Sequence, residues 1–209
     1  MKLSIENNLA KSDPVLEKII SQIPTIIINS TNNIFHDVIS CIIEQQIHYR
    51  STKKVFEKAL ERAGIEFLTI ENFHLIEKFS LSKIKLSMGK YETMMAFIEY
   101  WNANTKDYSK LSDEEIRKEL SAVKGIGRWT IDMILLYTLQ RPDVFPYDDF
   151  HLKNIMVSLY NLDPKIKLKS QMLSIAQHWG NQKSLAVLYL LSWKNLQKQY
   201  NAKSQNRNI

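Results

Sequence analysis

Apolar residues recur at intervals of three and four along almost the whole chain, and no alternating run survives more than a few positions. That pattern predicts helices over residues 34–48, 51–63, 71–79, 89–102, 128–139, 149–160, 170–179 and 183–200. Ser12-Asp13-Pro14 reads as a further helix start, a capping side chain followed by proline in the first turn. Ser112-Asp113-Glu114-Glu115 reads as a capping box opening a helix that ends near Ala122. Gly64 closes the second of these runs. The expectation is an all-α fold of about ten helices, with no internal repeat and no low-complexity linker before the polar tail after Asn201.

Composition narrows the function classes. The 209 residues carry a formal charge of +6, which favours a polyanionic partner without requiring one. The one cysteine, Cys41, excludes internal disulfides, cysteine-rich zinc sites and a four-cysteine iron–sulfur cluster. The five histidines (His36, His48, His74, His151 and His178) form no metal-binding spacing. No signal-peptide core and no apolar stretch of about 20 residues is present, so a soluble, cytoplasmic protein with no membrane partner is expected.

Two of the five glycines stand together in Lys124-Gly125-Ile126-Gly127, between two apolar helical runs. A helix–Gly-x-Gly–helix hairpin turns backbone N–H groups outward beside a helix N-terminus, an arrangement that takes an anion. With Lys124 and Arg128 flanking it, that anion is expected to be a nucleic-acid phosphate, gripped without reading sequence. An ordinary tight turn between packed helices is the alternative. Some two dozen residues further on stand Asp148 and Asp149, at the start of another helix, where each suits either chemistry or a helix cap.

Residues 120–156, LSAVKGIGRWTIDMILLYTLQRPDVFPYDDFHLKNIM, resemble the signature of the helix-hairpin-helix DNA glycosylase superfamily, with its Gly/Pro-rich loop and its aspartate. Upstream, Ile42-Ile43-Glu44-Gln45-Gln46-Ile47 resembles the Gln-Gln segment of the alkylated-base branch, the 3-methyladenine DNA glycosylase II type. Downstream, residues 184–190 (SLAVLYL) resemble the last core helix of the family. The resemblance runs from about residue 34 to 193 and implies the helical catalytic unit without an N-terminal β-rich domain.

Carried over residue by residue, the resemblance places the catalytic aspartate at Asp149. Loss of a base builds positive charge on the deoxyribose, which a carboxylate stabilises while orienting or deprotonating a water. Family members that also cut the strand carry a lysine where this chain has Trp129, so a monofunctional enzyme is implied. Trp129 and Met133, one turn later, are expected to line the pocket of the flipped base. Gln46 falls at the position of the inserted wedge, with Gln45 and His48 beside it, and Tyr49, Arg50, Lys53 and Lys54 follow as weaker phosphate contacts. Lys124, Gly125, Ile126, Gly127 and Arg128 are the expected DNA contacts of the hairpin.

The resemblance also implies that backbone carbonyls of Ser121, Val123 and Ile126 hold a Na+ or K+ ion behind the phosphate site; no other cofactor is expected. Many relatives carry an aromatic residue where this chain has Leu191, which leaves the lesion range open. The expected organisation is one glycosylase unit of two lobes, residues 34–128 and residues 1–33 with 129–209, with Asp149 in the cleft and the enzyme acting as a monomer on damaged duplex DNA. The competing readings are a same-fold enzyme for oxidised or mismatched bases and a DNA-binding module that has lost the chemistry.

Overall fold

The computed structural model describes residues 2–44, 54–84, 86–104 and 106–205. The described residues are helical, with eleven α-helices and no strand among them. None of these helices is long and apolar enough to cross a membrane. The chain divides into two compact units, Ser30–Leu139 and Met1–Asn29 with Gln140–Ile209.

The contiguous unit holds α3 (Ile34–Glu44), α4 (Lys54–Ala63), α5 (Phe73–Phe79), α6 (Met88–Ala103), α7 (Asp113–Ser121) and α8 (Arg128–Met133). Every residue of α3 is buried, and α4, α6 and α8 pack around it. Phe35 of α3 stacks on Phe97 of α6 with ring centroids 5.7 Å apart, and Trp101 stacks on Tyr108 at 5.5 Å. The buried Asp37 accepts hydrogen bonds from Thr31 Oγ1 (2.5 Å) and Thr138 Oγ1 (2.6 Å), and Ser30 Oγ donates to the Thr138 carbonyl. One carboxylate thereby ties the entry of this unit to its exit. The capping box of α7 forms as its sequence predicts, with the Ser112 and Glu115 side chains each reaching the backbone of the other.

The discontinuous unit holds α1 (Lys2–Ser12), α2 (Pro14–Ile20), α9 (Phe150–Tyr160), α10 (Leu168–Gln177) and α11 (Lys183–Gln205). Asp13 caps α2 through Oδ1, which accepts from Val15 N (2.8 Å) and Leu16 N (3.2 Å). Its Oδ2 accepts from Tyr160 Oη and Trp179 Nε1, both at 2.8 Å, so a cap legible in the sequence also joins three distant segments. Burial first, and then the bond to Asp13, raises the Tyr160 phenol above its ordinary pKa, which keeps it a neutral donor. Tyr189 of α11 donates to the buried Glu6 of α1 at 2.6 Å.

Two features differ from the periodicity. The first helix, α1, precedes the expected start at Ser12, because its apolar face is thin and its pattern weak. The run at 128–139 changes hand-over at Ile134: residues Ile134–Thr138 form a π-helical turn, closed by Leu139 N donating to the Ile134 carbonyl at 2.9 Å. Residues 129–139 also cluster with the contiguous unit rather than with the C-terminal helices. The reason is packing, since Met133, Ile134 and Leu135 are buried and α8 lies against α3 and α7.

Candidate functional site

Asp149 stands at the N-cap of α9, with its Oδ1 accepting from Leu152 N at 2.8 Å. It is only 8% exposed. The neighbouring Asp148 is half exposed and lies 3.9 Å from Lys153 Nζ. The two aspartates therefore separate: one is bound into the helix start, the other is solvated. After Asp149 the chain presents Phe150, 68% exposed, and His151, whose Nδ1 meets Lys194 Nζ of α11.

The segment that delivers Asp149 is pinned from the C-terminal side. Ser184, in the first turn of α11, accepts from Val144 N at 2.9 Å and donates to the Arg141 carbonyl at 2.5 Å. Its own N–H donates to the Pro142 carbonyl at 3.0 Å, and Lys183 pairs with Asp143 at 2.6 Å. Phe145 packs edge-on against Trp179 with centroids 5.7 Å apart. Asp149 N then donates to the Pro146 carbonyl at 2.9 Å, closing the turn into α9. Ser184→Ala leaves the buried Val144 N–H without its acceptor, which is expected to cost about 1–3 kcal/mol. Urea denaturation checks this.

In the other unit, the hairpin joins α7 to α8. The turn closes through Val123 N to the Leu120 carbonyl (3.2 Å) and Ile126 N to the Val123 carbonyl (3.1 Å). Gly125 has φ +91°, and a Cβ there would lie 1.9 Å from Thr93 Oγ1 and 2.8 Å from Thr93 Cβ. Gly125 is thus required by the packing of the hairpin on α6. Gly127 differs: its backbone is extended, no side chain caps α8, and a Cβ there would meet nothing within 4 Å. Of the two glycines, Gly127 is the one that leaves open space beside helix N–H groups.

The flanking cations also divide. Lys124 is 86% exposed, with Glu92 3.9 Å away. Arg128 turns back on Asp132, its Nε 3.4 Å from Oδ2, and Arg117 of α7 reaches Asp132 Oδ1 at 2.6 Å. Asp132 is fully buried, so this three-residue clasp fixes α7 against α8 and holds the hairpin in shape. Sequence reasoning missed it, although an aspartate inside the apolar run Ile131–Leu136 was the signal that a buried charge needed partners. Trp129 is half-buried and keeps surface to offer, whereas Met133 is buried. Tyr189 is likewise committed to the interior through Glu6. Gln45, Gln46, His48, Tyr49, Arg50 and Lys53, together with the side chain of Lys54, lie outside the described residues.

The sequence of residues 39–182 matches the family described as HhH-GPD superfamily base excision DNA repair protein. The chain belongs to that superfamily. A curated relative, DNA-3-methyladenine glycosylase 1 of Schizosaccharomyces pombe, is 30% identical over 166 residues, 77% of this chain and 71% of the relative. The DNA-3-methyladenine glycosylase of Bacillus subtilis is 25% identical over 195 residues, and the match covers 87% of this chain and 64% of that protein. Among solved structures, the S. pombe 3-methyladenine DNA glycosylase (Mag1) in complex with abasic DNA superposes with a TM-score of 0.76 at 24% identity, over 90% of this chain and 95% of that one. An 8-oxoguanine glycosylase/lyase of Clostridium acetobutylicum, in complex with double-stranded DNA, superposes with a TM-score of 0.75 at 21% identity, over 95% and 71% of the two chains. These likenesses show the all-helical HhH-GPD fold.

Proposed function

We propose that this HhH-GPD protein is a monofunctional DNA glycosylase that hydrolyses the N-glycosidic bond of alkylated purines of the 3-methyladenine type in duplex DNA. The observation that carries the reading is Asp149: a buried carboxylate at a helix N-cap, on a segment anchored by Ser184 and Phe145, inside the matched family region. Both compared relatives are named for 3-methyladenine, and this favours alkylated over oxidised bases.

In the proposed reaction the base leaves with the electron pair of the glycosidic bond. The carboxylate of Asp149 stabilises the cationic sugar and orients or deprotonates the water that adds to it. An alkylated purine already carries positive charge, so it departs without a strong general acid. Gly127 and the first turn of α8 grip a backbone phosphate, with Lys124 and Arg128 adding positive charge and Gly125 and Ile126 shaping the turn. Trp129 stacks on the cationic base, with Met133 one turn later on the same helix, and the segment holding Gln45 and Gln46 fills the gap in the duplex. Ser121, Val123 and Ile126 would hold a Na+ or K+ ion; the helix end and turn carbonyls here are the hard neutral donors such an ion takes, and its chemistry would be to reinforce the phosphate grip. The enzyme is proposed to act as a monomer where the DNA is.

The test is release of free 3-methyladenine from methylated duplex DNA, followed by chromatography. Release with the strand intact until alkali is added supports the reading. Tight binding of damaged or abasic duplex without release would leave only a DNA-binding module. Because Trp129 carries no amine, borohydride added during turnover is expected to trap no protein–DNA adduct. A covalent adduct on denaturing gels would overturn the monofunctional assignment.

A further inference from the structure

The excess positive charge of the chain is not spread along it. Residues 164–209 hold seven lysines, one arginine and no aspartate or glutamate, so the residues before them carry more acids than bases. Two of these cations are taken up locally: Lys183 pairs with Asp143 at 2.6 Å, and Lys194 meets His151. Lys165, Lys167 and Lys169 stand differently. All three are exposed, between α9 and the first turn of α10, and no carboxylate among the described residues pairs with them.

Like charges held close repel one another, and a loose connection would spread them. This one is held. Gln171 Nε2 donates to the carbonyls of Asp163 (2.9 Å) and Ile166, and Gln171 Oε1 accepts from Asp163 N at 3.2 Å. Asp163 Oδ1 accepts from Lys165 N at 2.8 Å. Lys167, Lys169 and Ser170 line a shallow groove together with Leu168 and Leu173. Ammonium groups and a hydroxyl suit phosphate oxygens, and the aliphatic carbons suit the deoxyribose between them.

The groove also touches the segment that delivers Asp149. Lys169 Nζ donates to Tyr147 Oη at 3.0 Å and lies 4.1 Å from the centre of its ring. Tyr147 stands two residues before Asp149, in the turn closed by Asp149 N on the Pro146 carbonyl. The hairpin belongs to the other unit, whereas these lysines are on the unit of Asp149 itself.

We propose that Lys165, Lys167 and Lys169 form a second phosphate-binding site, which holds the DNA backbone to the unit that carries Asp149. This rests on the glycosylase reading above. It also meets an electrostatic demand of that reading: a carboxylate must approach a strand with one negative charge per nucleotide, and ammonium groups beside its turn offset the repulsion.

The test is equilibrium binding of a fluorescent duplex bearing an abasic-site analogue, over a series of salt concentrations. Each phosphate neutralised by a lysine adds about 0.9 to the slope of log K against log salt. Changing Lys165→Gln, Lys167→Gln and Lys169→Gln together should lower that slope by about two to three and weaken binding roughly tenfold, with melting within about 2 °C of wild type. The three arginine substitutions should keep the slope. Lys11→Gln, Lys18→Gln and Lys78→Gln remove the same net charge from exposed positions elsewhere and should change it by less than about one. The pair Lys165→Gln and Lys167→Gln spares the Tyr147 contact, and should lower the slope by about two while single-turnover release at saturating protein stays within about twofold. An unchanged slope in the triple variant, or an equal fall in the charge-matched control, overturns the site. Release of 3-methyladenine by wild type is followed in parallel. Wild-type protein that binds the duplex and releases no base overturns the glycosylase reading, whereas an unchanged slope with release intact overturns this inference alone.

Discussion

Asp149→Asn is expected to slow release of 3-methyladenine from alkylated duplex DNA by at least about a hundredfold, the scale on which positioned catalytic groups contribute. The substitution is informative because the second role of Asp149 survives it. Asparagine caps helices about as well as aspartate, so its amide oxygen can still accept from Leu152 N, and the start of α9 should hold. What disappears is the negative charge that the proposed mechanism sets against the developing sugar cation. The melting temperature should therefore stay within a few degrees of wild type while single-turnover release collapses. A variant that releases base at the wild-type rate would move the catalysis away from Asp149. A variant that loses release and stability together would show that the cap, rather than the charge, had been disturbed.

The second large effect separates the two hairpin glycines. Gly125→Ala places a side chain at φ +91° and drives its Cβ to 1.9 Å from Thr93 Oγ1, a hydroxyl that donates to the Gly89 carbonyl at 2.8 Å. Left-handed backbone costs an L-residue about 1–2 kcal/mol, and overpacking about 1–3 kcal/mol more. The expected loss is thus about 2–5 kcal/mol, or roughly 5–20 °C in melting temperature for a chain of this size, read by calorimetry or urea titration. Gly127→Ala meets nothing and adopts allowed backbone, so it should melt within about 2 °C of wild type. Its effect should fall instead on affinity for a duplex bearing an abasic analogue, since the new methyl group stands where a phosphate would approach. If Gly127→Ala unfolds the protein and Gly125→Ala does not, the division of labour argued from the geometry is wrong.

That division also marks how far the residues could be read in advance. Signals carried by a few adjacent residues came through. Asp13-Pro14 starts α2, Ser112 and Glu115 form their box, and Gly64 ends α4 at φ +67°. The Gly-x-Gly turn and the aspartate at the head of α9 lie where the pattern placed them. Obligations set by residues far apart in the chain stayed hidden. Both hairpin glycines look alike in sequence, and only the arrival of Thr93, thirty-odd positions earlier, shows that Gly125 serves packing. Arg128 reads as a phosphate ligand beside the turn, and only the structure shows that it also pairs with the buried Asp132, which Arg117 reaches from α7. Asp37, Glu44 and Asp132 all sit within apolar helical runs, where periodicity marks a polar residue as outward-facing. Asp37 and Glu44 are instead buried acceptors whose donors lie on other segments, and Asp132 is a buried carboxylate paired with Arg117 of α7 and Arg128 of its own helix.

The division of the chain into one continuous and one split unit bears on how the protein is made. Ser30–Leu139 is continuous in the chain and its helices pack on one another, so it can begin to build its core while the remainder is still being synthesised. Residues 1–29, although made before the contiguous unit, must wait: Asp13 meets Trp179 across 166 positions and Glu6 meets Tyr189 across 183. Until α11 leaves the ribosome, Leu9, Leu16 and Ile19 have no complete core to enter, and apolar helices held open in this way are where chaperones bind or chains aggregate. Assembly therefore runs from the middle outward, and the unit carrying Asp149 is the last to form.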